Sequence, residues 1–171
     1  MTERHGIGFI GLGSIGQRML AQAWNHPRVK PTVAWDLATE RLAQTVANSA
    51  GLRAAADVNS LINDDSVDVV YIASPPLTHA VYANAALEFG KPVLCEKPLG
   101  IDVATSEALV ARASVSGIAH GVNFIFASAH PATQIEQALA RAELGEIKGA
   151  EAQLHLPNWA RRRYAEAHWL M

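Results

Sequence analysis

The sequence has 171 residues, room for one ordinary domain or for one domain and the start of another. Half of it is hydrophobic and its formal net charge is −2, which suits a soluble α/β protein and argues against nucleic acid, an anionic membrane surface or an acidic partner. Cys95 is the single cysteine, so no internal disulfide forms and a reducing, cytoplasmic setting is expected. Met1–Gly6 lacks a signal-peptide core, and no apolar run is long enough for a bilayer.

The first element is the apolar run Ile7–Ile10, a strand ending at Gly11. Gly11, Gly13 and Gly16 then fall at G-x-G-x-x-G spacing, and Ser14–Asn25 follows as a helix stopped by His26-Pro27. Strand, glycine turn and helix in that order build a pyrophosphate site. Gly11 permits the tight turn, Gly13 lets the backbone approach a phosphate, and Gly16 lets the helix pack close to the strand. The first N–H groups, those of Ser14 and Ile15 among them, face the anion with the positive end of the helix dipole.

The alternation continues. Strands are expected at Lys30–Asp36, Arg53–Ala56, Val67–Ala73, Lys91–Glu96 and Ala119–Phe126. Helices are expected at Ala38–Ser49, after Asp57, at Thr78–Phe89 and from Asp102 to Ser116. Val67–Ala73 is nearly all apolar, as a strand buried on both faces reads. The expected fold is α/β, a Rossmann-type doubly wound parallel sheet over residues 1–126, with ligands at the carboxyl ends of its strands. From Pro131 the pattern changes to a helix, Pro131–Glu143, a turn at Leu144-Gly145-Glu146 and one weakly alternating strand, Ile147–Leu156. A lone strand is not independently stable, so residues 127–171 read as the incomplete start of an α+β second domain. Pro157–Met171 is polar, basic and aromatic.

Each candidate site residue lies at a strand's carboxyl end. Asp36 comes twenty residues after Gly16, where a dinucleotide-binding unit places the acid that accepts from the adenosine ribose hydroxyls. A carboxylate there repels a 2′-phosphate and favours NAD over NADP; the plain alternative is a helix cap or turn aspartate. Arg41 is either a 2′-phosphate ligand or a solvated helix residue. Ser74 and Thr78 are placed either to touch ribose or phosphate or merely to connect strand and helix, with Thr78 as cap and His79 on the first turn. Glu96-Lys97-Pro98 closes the next strand. Pro98 keeps Lys97 extended and opens its peptide bond to the cis form. A partly desolvated lysine in the crevice moves a proton, as hydride transfer from an alcohol requires, and Glu96 would orient it; the alternative is an ordinary surface ion pair. Cys95 reads as a buried small hydrophobe. No His, Cys, Asp or Glu spacing suggests a metal, and Arg161-Arg162-Arg163 reads as a solvated run.

Four separated motifs, G-L-G-S-I-G, V-D-V-V-Y-I-A-S-P-P-L-T-H, G-K-P-V-L-C-E-K-P-L and G-V-N-F-I-F-A-S-A-H-P-A, occur in the order of the glucose–fructose oxidoreductase / inositol dehydrogenase (Gfo/Idh/MocA) family. The resemblance covers about residues 6–156. It implies a nicotinamide-dependent oxidoreductase of sugars, cyclitols or related polyols. By resemblance Lys97 is the catalytic residue, Glu96 contacts the nicotinamide-ribose side, Ser74, Pro75 and His79 line the cofactor, and Asn123 lies near cofactor and substrate. The arginine that follows this asparagine in many members is missing from Phe124-Ile125-Phe126-Ala127. Members continue into a Gly-rich segment, an Asp…His pair and a large open sheet that holds substrate and often pairs subunits. None of that follows Trp169, although Trp159 and Trp169 resemble its approach.

Two readings follow. One is an NAD-linked dehydrogenase of a sugar, cyclitol or polyol, a homo-oligomer through the second domain if the native chain is longer. The other is a non-catalytic NAD-binding module, a redox sensor or scaffold, motivated by the missing Asp…His segment. A biliverdin- or dihydrodipicolinate-type reductase fits E-K-P and the 121–131 segment less well.

Overall fold

The computed structural model describes residues 4–153. Contacts divide the chain into two compact units, one ending at Asn123 and the other beginning at Phe124.

In the first unit the elements alternate as β1 (His5–Ile10), α1 (Ser14–Trp24), β2 (Val29–Trp35), α2 (Thr39–Ala47), β3 (Arg53–Ala54), α3 (Val58–Ile62), β4 (Val69–Ile72), α4 (Pro76–Glu88), β5 (Val93–Cys95), α5 (Val103–Ser116) and β6 (His120–Val122). The strands are parallel and lie in the order β3-β2-β1-β4-β5-β6. β1 therefore sits centrally, and the order reverses beside it. That reversal opens a crevice at the carboxyl ends, where doubly wound sheets bind ligands.

Successive side chains of a strand point to opposite faces, and both faces of this sheet are covered. Phe9, Ala34 and Tyr71 join Leu12, Leu20 and Leu42 in a core under α1 and α2. Their neighbours Ile10, Val33 and Ile72 join Leu61, Ala80, Leu87 and Leu109 in a second core under α3, α4 and α5. This is why β4 reads as unbroken apolar sequence. Ile72 is fully buried, and truncating it to Ala would cost about 2–5 kcal/mol.

Helix starts follow local chemistry. Asp57 and Asp102 accept the N–H groups of Ser60 and Thr105, each at 2.7 Å, which caps α3 and α5. Those bonds hold both carboxyls below the usual carboxylate range. α4 begins at Pro76, two residues before the expected Thr78. Proline suits the first helical position because its ring presets φ and no N–H is needed there.

In the second unit α6 spans His130–Ala140, with a proline in its first turn and no buried residue. Ile135 and Leu139, four residues apart on one side of the helix, are exposed at 57% and 47%. Residues 147–153 form no strand, contrary to expectation for the Ile147–Leu156 segment. A weak alternation has nothing to form a ladder with unless a second strand is beside it. Residues 154–156 and the basic, aromatic Pro157–Met171 run lie outside the described residues. Among the described residues no helix is long and apolar enough to cross a membrane.

Candidate cofactor and active site

The glycine turn joins β1 to α1 at the centre of the sheet. Gly11 has φ +93°, and a Cβ on it would lie 2.6 Å from the backbone of Ala73 and Ser74. Glycine is required there twice over, for its conformation and for the approach of the β4 loop. A Cβ on Gly16 would run into the carbonyl oxygen of Gly11, so this glycine sets how closely α1 packs on the turn. Gly13 differs: a Cβ there would meet nothing within 4 Å. It is the N-cap of α1 without a side-chain cap, and the first turn carries no acidic residue. The exposed Ser14 and Ile15 therefore carry N–H groups without a side-chain cap, with the helix dipole behind them. A pyrophosphate fits this cradle.

Asp36 ends β2 beside the turn and is 6% exposed. Its Oδ2 accepts the Leu12 N–H at 2.6 Å, and its Oδ1 accepts the Ala38 N–H at 2.8 Å. Arg41 donates from Nη1 to both oxygens, at 3.2 and 3.1 Å. Arg41, whose side chain is half exposed, is thus paired with the buried carboxylate beside it. An ionised carboxylate offers about four acceptor positions, and these four bonds fill them, so Asp36 ties the turn to β2 and a ribose hydroxyl would have to displace one of the present donors.

The loop after β4 is tied to the loop after β5 through His79, which is 1% exposed. Its Nε2 lies 2.7 Å from the Ser74 carbonyl and its Nδ1 lies 2.7 Å from that of Pro98. Resemblance makes His79 line the cofactor; in the structure the ring is enclosed by backbone, and it bears on the crevice through the two loops it joins. Thr78 does not cap α4. Its hydroxyl lies 2.8 Å from Ser74 Oγ and 2.9 Å from the Pro75 carbonyl. Pro75 is exposed at the helix start.

After β5 the chain turns sharply. Glu96 is buried at 7% exposure, whereas the next residue, Lys97, is exposed, and the Lys97–Pro98 peptide is cis. No described carboxylate pairs with the Lys97 ammonium. The Glu96–Lys97 surface pair is therefore absent among the described residues. Glu96 is held instead by neighbours. Its Oε1 accepts the Tyr71 hydroxyl at 2.7 Å and the Asn123 side-chain amide at 2.6 Å. Asn123 also donates its backbone N–H to the Cys95 carbonyl at 2.7 Å. Burial, then the hydrogen bond to Glu96, pushes Tyr71 ionisation above its ordinary range, so its hydroxyl stays a donor. Burial and the charge of Glu96 push the Cys95 thiol up to about 12, which suits a core residue and not a nucleophile. Among the described residues no group of His, Cys, Asp or Glu is arranged to hold a metal.

Tyr71 escaped the sequence reading, as did the pairing of Arg41. The available signal was a tyrosine inside an otherwise aliphatic buried strand, since a buried phenol needs a partner for its hydroxyl.

A central glycine cradle, an acid closing β2 and the successive residues Glu96 and Lys97 closing β5 define a dinucleotide-binding domain of the oxidoreductase type. The chain belongs to the Gfo/Idh/MocA family: residues 5–124 match the oxidoreductase family with an NAD-binding Rossmann fold. An inositol 2-dehydrogenase from Mycolicibacterium vanbaalenii is 39% identical over 114 residues, 66% of this chain and 33% of that protein. A 3-ketoreductase from Actinomadura kijaniata, solved with TDP-benzene and NADP, superposes with TM-score 0.73 at 29% identity, covering 85% of this chain and 45% of its own. A scyllo-inositol dehydrogenase from Lactobacillus casei, solved with NAD(H) and scyllo-inositol, has the same fold (TM-score 0.78, 20% identity, 84% of this chain and 43% of its own). The chain thus spans less than half the length of these proteins. All three carry enzyme names, which gives the non-catalytic reading no support.

Proposed function

We propose that this chain supplies the cofactor half of an NAD-linked dehydrogenase acting on a cyclitol, sugar or related polyol. The observation that carries the reading is the first turn of α1, uncapped beside Gly13, with Asp36 bonded to Leu12 of the same turn. Gly11, Gly13, Ser14, Ile15 and Gly16 would hold the pyrophosphate, Asp36 the adenosine ribose, and the Ser74-Pro75 loop, Glu96 and Asn123 the nicotinamide half. When bound, the nicotinamide takes or gives the hydride. Lys97 then holds or moves the proton of the substrate hydroxyl through Nζ.

NAD is favoured over NADP because Asp36 sets a carboxylate where a 2′-phosphate would sit, and Arg41 is engaged by that carboxylate. The cyclitol class is supported by the likeness to the inositol 2-dehydrogenase. Residues 127–171 would begin the domain that holds substrate and pairs subunits, and the enzyme would work in the cytoplasm. Substrate-dependent NADH formation by the complete gene product, across a panel of inositols and sugars, tests the activity. No turnover with any of them, alongside normal NAD binding, would sink the dehydrogenase reading. Tighter binding of NADP than NAD by this chain would sink the cofactor choice.

A further inference from the structure

Glu96 is a buried carboxylate whose two oxygens live in different surroundings. Both protein donors converge on Oε1. No described donor reaches Oε2, yet no buried side-chain oxygen among the described residues lacks a partner, so Oε2 is the oxygen that solvent reaches. The donors come from the strands on either side. β4 pairs with β5 so that Tyr71 stands opposite Leu94, and β5 pairs with β6 so that Cys95 stands opposite Val122. Tyr71 and Asn123 therefore flank the end of β5 in register.

The two donors are not equivalent. Tyr71 is 1% exposed, and its ring meets that of Phe9 edge-on with centroids 5.5 Å apart. Its hydroxyl is fixed by the core, so the bond to Glu96 forms with little further loss of side-chain freedom. Asn123 lies at the unit's last residue and is partly exposed. The rigid donor is the phenol.

We propose that Tyr71 is a positioning residue for the cofactor site: it anchors Glu96 by Oε1 so that Oε2 is presented, in one orientation, to a hydroxyl of the nicotinamide-side ribose. This rests on the cofactor reading above. Tyr71 touches neither cofactor nor substrate; it acts through Glu96 alone.

The test is calorimetric titration of the full chain with NAD and, separately, with AMP. Glu96 lies across the sheet from the Asp36 end, so AMP samples the cradle and the adenosine side without it. The proteins are the unaltered chain, Tyr71→Phe, Glu96→Gln and the double variant. Phe keeps the ring packed on Phe9, and urea midpoints check that each variant folds. Tyr71→Phe should weaken NAD roughly three- to tenfold, the range of one hydrogen bond, and change AMP by less than about twofold. In the Glu96→Gln background the same change should alter NAD binding by less than about twofold, because the group it positions is already disabled. Unaltered NAD binding by Tyr71→Phe overturns the proposal. Equal weakening of NAD and AMP, or full additivity with Glu96→Gln, also overturns it, since Tyr71 would then act by packing. If the unaltered chain binds neither NAD nor AMP, the cofactor reading itself fails, a pattern distinct from the others.

Discussion

The two rims of the sheet use similar residue types to opposite ends. At the amino ends of the strands, polar groups answer one another. Arg53 donates to Asp64 and to Ser66, both at 2.8 Å. Ser66 donates its N–H and hydroxyl to the same Asp64 oxygen. Lys91 donates to the Val67 carbonyl at 2.7 Å, and Asp68 accepts the Gly6 N–H at 2.7 Å. At the carboxyl ends Asp36 and His79 are likewise engaged, but three features keep spare capacity. The first turn of α1 has no side-chain cap, Glu96 offers Oε2, and Lys97 is exposed. Lys91 at the amino ends donates to a backbone carbonyl, whereas Lys97 at the carboxyl ends is exposed.

The comparison breaks most visibly at Gly16. Gly16→Val would drive a side chain into the Gly11 carbonyl, costing about 3 kcal/mol and abolishing NAD binding; urea unfolding and calorimetry read the two losses. Lys97→Ala should sharpen it. In the complete enzyme kcat should fall about 10²- to 10⁴-fold, while the stability of the chain moves within about 0.5 kcal/mol, as for other exposed sites. Normal turnover would remove Lys97 from the chemistry.

Asp64→Asn at the opposite rim should do the reverse, lowering stability by about 1–2 kcal/mol and leaving NAD affinity unchanged. The hydrogen bond from Arg53, then those from Ser66, holds the Asp64 carboxyl well below the usual carboxylate range. A depressed folded-state value means the stabilisation is complete above the unfolded value and is lost as pH falls. Acid should therefore weaken the unaltered chain from about pH 4 downward, and Asp64→Asn should flatten that decline in urea midpoints measured across the acid range. The smallest effect concerns Cys95, 1% exposed with its thiol pushed up to about 12. It should resist a disulfide reagent at pH about 8 until urea unfolds the chain.

Much of this was legible in one dimension. Gly11, Gly13 and Gly16 declare the turn because steric rules act within a few residues. The even burial of Tyr71 and Ile72 on opposite faces follows from the unbroken apolar run of β4. α4 starts two residues before the expected Thr78 because Pro76 stands in its first turn, where a proline is a helix signal. The strand at Ile147–Leu156 was read from alternation alone, and the described part, 147–153, has none. Helical periodicity likewise names the apolar stripe of Ile135 and Leu139, both exposed, without naming what covers it.

The sequence by itself determined the order of strands and helices, the glycine cradle and the positions of Asp36, Glu96 and Lys97 at strand ends, because each depends on local sterics and periodicity. Only the tertiary structure decided which of those groups were already engaged. Tyr71 and Asn123 reach Glu96 from 25 and 27 residues away, Arg41 turns onto Asp36, and His79 bridges two loops. Such contacts are set by which strands lie side by side and in what register, and no spacing along the chain encodes that.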